Sequence, residues 1–576
     1  DLNTQAIGAK IEVKTESATY SIEQQPTRGF QSSMDFRPHL GLPDTEAVDV
    51  VIHWPSGKQT TAQGILPNRT HTFREIDALE MSTLPRVPSE KKIFKKQQNP
   101  AFRHQENRYV DFHHDRLLYQ MCSNEGPHPS LVDWDADGKK ELFIGGSKNQ
   151  HSQILEKPLE GPSVSKSIPF TEERKIGEVR DQLFFDADGD GDLDLYIATG
   201  SNELNPNAIG MRDQFFRQEN GNFIPDPNAH PLAQNPLSVS TVESLDFNQD
   251  GAPDMIVAER FRPKTYGIPV SLHLFENDGK GIFTEVTDAI APDFKSIGMI
   301  TDLSAIDLDG DQVQEIIAIG EFMGIHIFQW DEGQYRLLAN HPLLQKKGWW
   351  NRIHIDDLNG DGLLDLVVGN HGLNSRFRAS EKFPIRLYIN DYDKNGTVDP
   401  ILCFQTQEAK DFPFALRHDL IDQMKGLKKL FPNYHSFKDK SMQDIFTVEQ
   451  LQSSLVQEIN TLQTSLYLNR GNLEFEAVSL PVEVQFSSVY AINSGDFDRD
   501  GDRDLLMGGN QYLVKPEMGR QDANYGLFLE NLGDETFQAF NGKQGFRVSG
   551  QVRDIIIDDP HILVVRNNDS LLHFKY

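Results

Sequence analysis

At 576 residues the chain is long enough to bury at least two hydrophobic cores. It carries 86 acidic against 56 basic residues, a formal charge of −30, and that balance argues against nucleic-acid binding, which needs a basic face. Two cysteines, Cys122 and Cys403, give no disulfide framework, and no run of 18 apolar residues offers a membrane span.

Residues 1–77 alternate apolar and polar side chains at 9–14 and 48–54, with turns at Pro55-Ser56-Gly57 and Pro67-Asn68. This predicts a small all-β domain. Residues 78–105 are polar, with Pro85, Pro88 and lysines at 91, 92, 95 and 96, and read as a linker. The alternation through Tyr109-Val-Asp-Phe-His113-His114-Asp115 predicts an ordinary strand. Its two histidines would then face opposite sides, so they form no metal or acid–base pair.

Residues 106–576 are organised by seven acidic loops of one design. The first offers Asp133, Asp135, Asp137 and Glu141, and the second Asp186, Asp188, Asp190 and Asp194. The third offers Asp246, Asn248, Asp250 and Asp254, and the fourth Asp307, Asp309, Asp311 and Glu315. The fifth has Asp357, Asn359, Asp361 and Asp365, the sixth Asp391, Asp393, Asn395 and Asp399, and the seventh Asp496, Asp498, Asp500 and Asp504. Oxygen donors at loop positions one, three, five and nine suit Ca²⁺, which takes about six to eight oxygens. Glycine at position six permits the turn that converges them. The fourth loop departs from the pattern with Gln312 at position six. It is expected to be strained, weak or empty, and the sixth, with Asn395 at position five, is less regular too. The loops hold 25 of the 86 acids at ligand positions, and seven bound Ca²⁺ would bring −30 to −16, so much of the acidity is a metal requirement. Saturated oxygen cages point to structural rather than catalytic metal.

The loops start 53, 60, 61, 50, 34 and 105 residues apart, and an apolar strand follows nearly every one. Aromatic hairpins recur beyond them, at 274–283, 466–475 and 527–537. Such periods predict propeller blades. Units near 133, 186, 246, 307, 357, 496 and 552 predict an all-β, seven-bladed β-propeller preceded by the small β domain. The short spacing of 34 places the sixth loop at the hairpin position of the fifth blade. The gap of 105 holds an insertion, 408–462, that reads as helical from Phe414, Leu420, Ile421, Met424, Leu427, Leu430 and Phe431, and again from Met442, Ile445, Phe446, Leu451, Leu455 and Ile459. Lys425, Lys428 and Lys429 make it either a cap on the propeller or a docking surface for a partner protein.

Trp349 and Trp350 precede the fifth metal strand, and neighbours on a strand face opposite ways. Either both pack between blades or one forms a stacking platform for a sugar or peptide, with Arg352, Asn370, His371 and Asn374 nearby.

The acidic repeats resemble FG-GAP/VCBS repeats, the calcium-bearing blades of integrin α-subunit propellers. The front of the chain resembles the ASPIC/UnbV domain through Asn3-Thr-Gln-Ala-Ile-Gly-Ala9, Gly29-Phe-Gln-Ser32, His39-Leu-Gly-Leu42 and Trp54-Pro-Ser-Gly57, with Leu40 where that family has an aromatic. The combination is similar to large VCBS-repeat proteins of the Bacteroidetes surface, beside which a start at Asp1 reads as a fragment of a longer chain. The resemblance implies an extracellular or cell-surface protein, often a lipoprotein at the outer membrane and sometimes beside nutrient transporters, and supplies no settled ligand. The expectation is a non-enzymatic, calcium-stabilised binding protein or subunit of an outer-membrane complex, recognising protein or glycan. The alternative is a polysaccharide lyase or hydrolase, since paired carboxylates cannot be located from sequence.

Overall fold

In the computed structural model, which describes residues 3–43, 46–79, 92–100, 102–159, 165–167, 177–230, 232 and 236–576, the chain divides into two units, Asp1–Lys91 and Lys92–Tyr576. The first unit is a four-stranded antiparallel sheet in the order Thr19–Glu23, Lys10–Lys14, Val48–His53 and Gln59–Ile65. Its alternating residues deliver one buried face, Val13, Val48, Val50 and Ile52, closed by Ala9 and Trp54. The Trp54 indole donates to Thr60 Oγ1 at 2.8 Å, which satisfies its one polar atom. Gly57, at φ +88°, makes the tight turn that follows.

The second unit is all-β apart from short helices. Among the described residues seven antiparallel sheets follow one another along it, six of four strands and the fourth of five, where Gly348–Trp349 adds to Glu315–Met323, and all are built from neighbours in sequence with two exceptions. In the fifth sheet, Arg352–Asp356 and Asp365–Gly369 are completed by Ser465–Asn469 and Phe475–Val478, across a long insertion. In the seventh, Gln551–Asp558, His561–Asn567 and Leu572–Lys575 take their fourth strand, Lys95–Lys96, from the beginning of the unit. Apolar clusters pack each sheet on the next, as Val367 and Leu466 meet Val489 and Leu505. They also join the last sheet to the first, where Leu563 and Val565 pack with Leu142 and Ile144. The arrangement is propeller-like. Each second strand of the first six sheets is buried along its whole length, which explains its unbroken apolar run.

Three expectations are corrected. Residues 92–105 belong to the second unit rather than to a linker. Phe94 is 1% exposed among Phe497, Phe528 and Phe546, and the lysines beside it pair with the seventh sheet; residues 80–91 lie outside the described residues. The sixth loop is not in the fifth blade's hairpin. It joins Ile385–Asn390 to Asp399–Gln405 in a separate sheet within the insertion, and the hairpin position is taken by the aromatic pair at 466–475. The insertion is mixed rather than helical throughout. Five short helices run between Arg417 and Gln452, while Asp411–Pro413 and Leu455–Ile459 are strands of that extra sheet. Leu455 and Ile459 are spaced as on a helix, but pairing with residues 385–389 decides their conformation.

Candidate functional site

All seven acidic loops share one backbone geometry. The position-one carboxylate accepts from the position-six N–H at 2.8–3.2 Å, as Asp186 does from Gly191 and Asp496 from Gly501. The position-five side chain accepts from the position-seven N–H at 2.8–3.0 Å. Position six lies at φ between +72° and +104° throughout, and Gln312 adopts +72° without glycine's freedom. The fourth loop is therefore strained, as its sequence implies, yet shaped like the others.

The position-nine acid has a second task. It is buried in every loop, from 6% exposure at Glu141 to 0% at Asp254, Glu315, Asp365, Asp399 and Asp504. One oxygen of Asp504 accepts from Phe497 N–H at 3.1 Å and the other from Asn531 N–H at 2.8 Å, so the acid ties its loop to the third strand. Burial raises Glu141, Asp254, Glu315 and Asp504 to about 7, with the neighbouring loop carboxylates adding to the rise.

A divalent ion fits these loops. Five of them bring three carboxylates together with ligand atoms all within 4.8 Å of one another: Asp133, Asp135 and Glu141; Asp186, Asp188 and Asp190; Asp307, Asp309 and Asp311; Asp391, Asp393 and Asp399; Asp496, Asp498 and Asp500. In the third and fifth loops Asn248 and Asn359 stand at position three, and their amides donate to Asp250 and Asp361. Four buried loop oxygens, Asp133 Oδ1, Glu141 Oε2, Asp188 Oδ1 and Glu315 Oε1, have no hydrogen-bond donor. Buried oxygens of this kind are rarely left alone, and a cation supplies what they lack.

Sequence reasoning missed the asparagines that lock one sheet to the next. Asn277, Asn469 and Asn531 end the third strands of their sheets. Each donates to the position-two carbonyl of the preceding sheet's loop, Ala187 (2.8 Å), Leu308 (3.1 Å) and Leu358 (2.8 Å). Their signal was present in the aromatic hairpins, where Asn closes Leu-Phe-Glu-Asn277, Leu-Tyr-Leu-Asn469 and Leu-Phe-Leu-Glu-Asn531.

At the opposite ends of the inner strands from the acidic loops lies a small polar cavity of about 60 Å³. The register of five inner strands shifts at one residue near the start, and the residues at the shifts are Arg180, Ser240, Thr301, Tyr490 and Arg553. A bulge re-aims a side chain, and all five of these line the cavity. Glu125 accepts from Arg180 and from Arg260 (3.1 Å), and Arg260 also meets Glu321 at 2.6 Å. Burial would raise the Glu125 carboxyl, but the guanidiniums of Arg260 and Arg180 hold it at about 2. Glu321 further accepts from Gln120 (2.8 Å) and from Tyr266 (2.5 Å).

The expected ligand platform divides. Trp349 and Trp350 are 3% and 0% exposed, so neither offers a stacking face. Trp349 stacks on His371 at 5.0 Å, and the Trp350 indole donates to Lys346 O at 3.1 Å. Asn370 is 0% exposed and accepts from the Trp349 and His371 N–H groups. Asn374 donates to Phe486 O instead. Arg352 is separated from them and enters the cavity, 3.5 Å from Asp302 and 3.6 Å from Asp554. His113 closes a 3-10 turn, Asp111–His113, rather than lying on a strand, because the buried Asp111 carboxylate draws in Cys122 N–H, Ser123 and Asn202. Cys122 and Cys403 are both free and buried. No helix among the described residues is long and apolar enough to cross a membrane.

A sheet-forming front unit and a chain of acidic-loop sheets define a repeat-built β scaffold. Residues 1–80 match the ASPIC and UnbV family, and residues 186–257, 246–318 and 307–368 match the FG-GAP-like repeat, each match starting at the first aspartate of a loop. The chain thus carries FG-GAP-like repeats over residues 186–368 behind an N-terminal stretch that matches the ASPIC and UnbV family. No curated protein matches it. Among solved structures it is similar to an Agrocybe aegerita lectin described as recognising non-reducing terminal N-acetylglucosamine, at 12% identity and a TM-score of 0.38 over 94% of this chain and 92% of that one. It is also similar to the V. cholerae biofilm matrix protein Bap1, at 11% identity and a TM-score of 0.34 over 84% of this chain and 91% of that one.

Proposed function

We propose that the chain is a non-enzymatic, calcium-stabilised binding protein of the cell surface, built as a seven-bladed β-propeller that recognises protein or glycan. The observation that carries the metal reading is the set of buried loop oxygens without a donor, sited where carboxylates converge. Ca²⁺ held by the residues at positions one, three and five, together with the acid at nine, supplies positive charge that offsets their mutual repulsion. Extracellular calcium modules bind at about 10⁻⁴ to 10⁻³ M or tighter, which suits a location outside the cell, at the outer membrane. The ring would be closed by the Lys95–Lys96 strand in the seventh sheet. A protein-binding role is supported by the insertion, which exposes the large apolar side chains of Leu430, Tyr434 and Val448 as well as Lys425, Lys428 and Lys429. Such a surface suits a subunit of an outer-membrane complex.

The test pairs a glycan array and a pull-down from native membranes, each with Ca²⁺ and with chelator, with a turnover assay on polysaccharides. The proposal expects calcium-dependent retention of a glycan or a membrane protein and no bond cleavage. Cleavage of any polysaccharide, abolished by substituting one acid outside the loops, would overturn it.

A further inference from the structure

We propose that the central cavity is a binding site for a small, singly charged carboxylate. This goes beyond the surface-recognition reading and does not depend on it. Four arginines, Arg180, Arg260, Arg352 and Arg553, line the cavity, and three of them are paired with carboxylates. Arg553 is not. Its guanidinium, 5% exposed, donates only to neutral oxygens: the Asn510 and Val552 carbonyls and the Gln511 and Gln551 amides, at 3.1–3.3 Å. It lies over the Tyr490 ring at 4.4 Å, and among the described residues no carboxylate stands within ion-pair distance of it. A buried guanidinium without an anion is costly, and burial lowers its proton affinity accordingly.

Two further residues lining the cavity hold a donor without an acceptor. Arg260 is 2% exposed and its Nη1 is buried without a partner, and the Asn351 side-chain amide nitrogen is likewise unpartnered. One uncompensated charge and two unpartnered donors thus belong to residues that line one cavity, in a protein whose net charge is −30. Guanidinium and amide N–H groups match the two oxygens of a carboxylate. The cavity also sets the charge of its guest. Arg180, Arg260 and Arg352 are already balanced by Glu125, Glu321 and Asp302, so Arg553 offers one uncompensated positive charge, and a second negative charge on the guest would meet Glu125 and Glu321 with nothing to offset it. Sulfate and hydrogen phosphate are disfavoured on that ground. The bulges at Arg553 and Tyr490 bring the site's parts together from separate sheets, so it exists only in the folded unit.

The test is isothermal titration of the full, calcium-loaded chain with sodium acetate and sodium glucuronate, against sodium chloride and sodium sulfate at matched ionic strength. Saturable binding of acetate or glucuronate is expected, at least tenfold tighter than sulfate and absent with chloride. Arg553→Gln should weaken it at least tenfold. Asn351→Asp, which places a negative charge on the wall, should abolish it while leaving the melting transition cooperative. The second variant decides the matter if the first does not fold. Absence of saturable binding, equal binding of sulfate, or unchanged binding in either folded variant would overturn the proposal.

Discussion

Asn531→Ala removes the tie between the sixth sheet and the loop of the fifth. The side chain is 3% exposed. It donates to Leu358 O at 2.8 Å and to Arg503 O at 3.0 Å, and accepts from Gly533 N–H at 3.1 Å. Truncation leaves two carbonyls and one N–H without this partner in a seam between sheets. At about 1 kcal/mol per hydrogen bond, with more where a buried group stays unsatisfied, the loss is about 3 kcal/mol. An unfolding entropy of about 2.1 cal/mol/K per residue, taken over Lys92–Tyr576, makes roughly 1 kcal/mol per degree. Calorimetry at saturating Ca²⁺ should therefore show Tm falling by about 3 °C. Gln463→Ala, at an exposed position, should shift it by less than about 0.5 °C. A shift for Asn531→Ala no larger than that control would refute the interlock.

Gln312→Gly relieves a left-handed residue worth about 1–2 kcal/mol but adds roughly 0.4–1 kcal/mol of unfolded-chain entropy. The net expectation is a Tm rise of about 1 °C, and a fall would show that the fourth loop is not strained. Asp498→Ala should lower the bound calcium count by one in a metal analysis of dialysed protein, with an unchanged count contradicting its role as ligand. Glu243, on an inner strand, is raised to about 8 by burial and by Asp181 and Asp302 beside it. A carboxyl raised on folding binds its proton more tightly in the folded chain, so its contribution is fully present below the unfolded value and is lost as pH rises towards 8. Glu243→Gln should match the parent near pH 5 and melt higher than it at pH 8. Parallel pH profiles for the two proteins would contradict that assignment.

Much of the second unit could be read from its sequence because an acidic loop of this design fixes residue type at each position. Aspartates at one, three and five and glycine at six leave few other folds open, and the buried strand after each loop writes itself as an apolar run. The insertion was harder. Its sixth loop carries the same pattern as the others, and nothing local distinguishes Ile385–Asn390 in a separate sheet from an aromatic blade strand. Residues 92–96 are basic, and only the distant partner at Phe574–Lys575 makes them a strand. The cavity was invisible for a related reason. Arg180, Ser240, Thr301, Tyr490 and Arg553 follow no single residue pattern, and what unites them is the bulge that turns each inward. Trp349 and Trp350 misled because both are buried, Trp349 against the loop residues His371 and Phe377.

The central claim is that calcium completes the acidic loops and holds the sheets in register. A site filled to about 100 times its dissociation constant contributes roughly 2.7 kcal/mol, so several such sites move the melting point by more than about 10 °C. The direct measurement is scanning calorimetry of one preparation in millimolar Ca²⁺ and after exhaustive chelation. The account predicts a drop of that size on chelation, recovered by Ca²⁺ and poorly by Mg²⁺; superimposable transitions in the two states would contradict it.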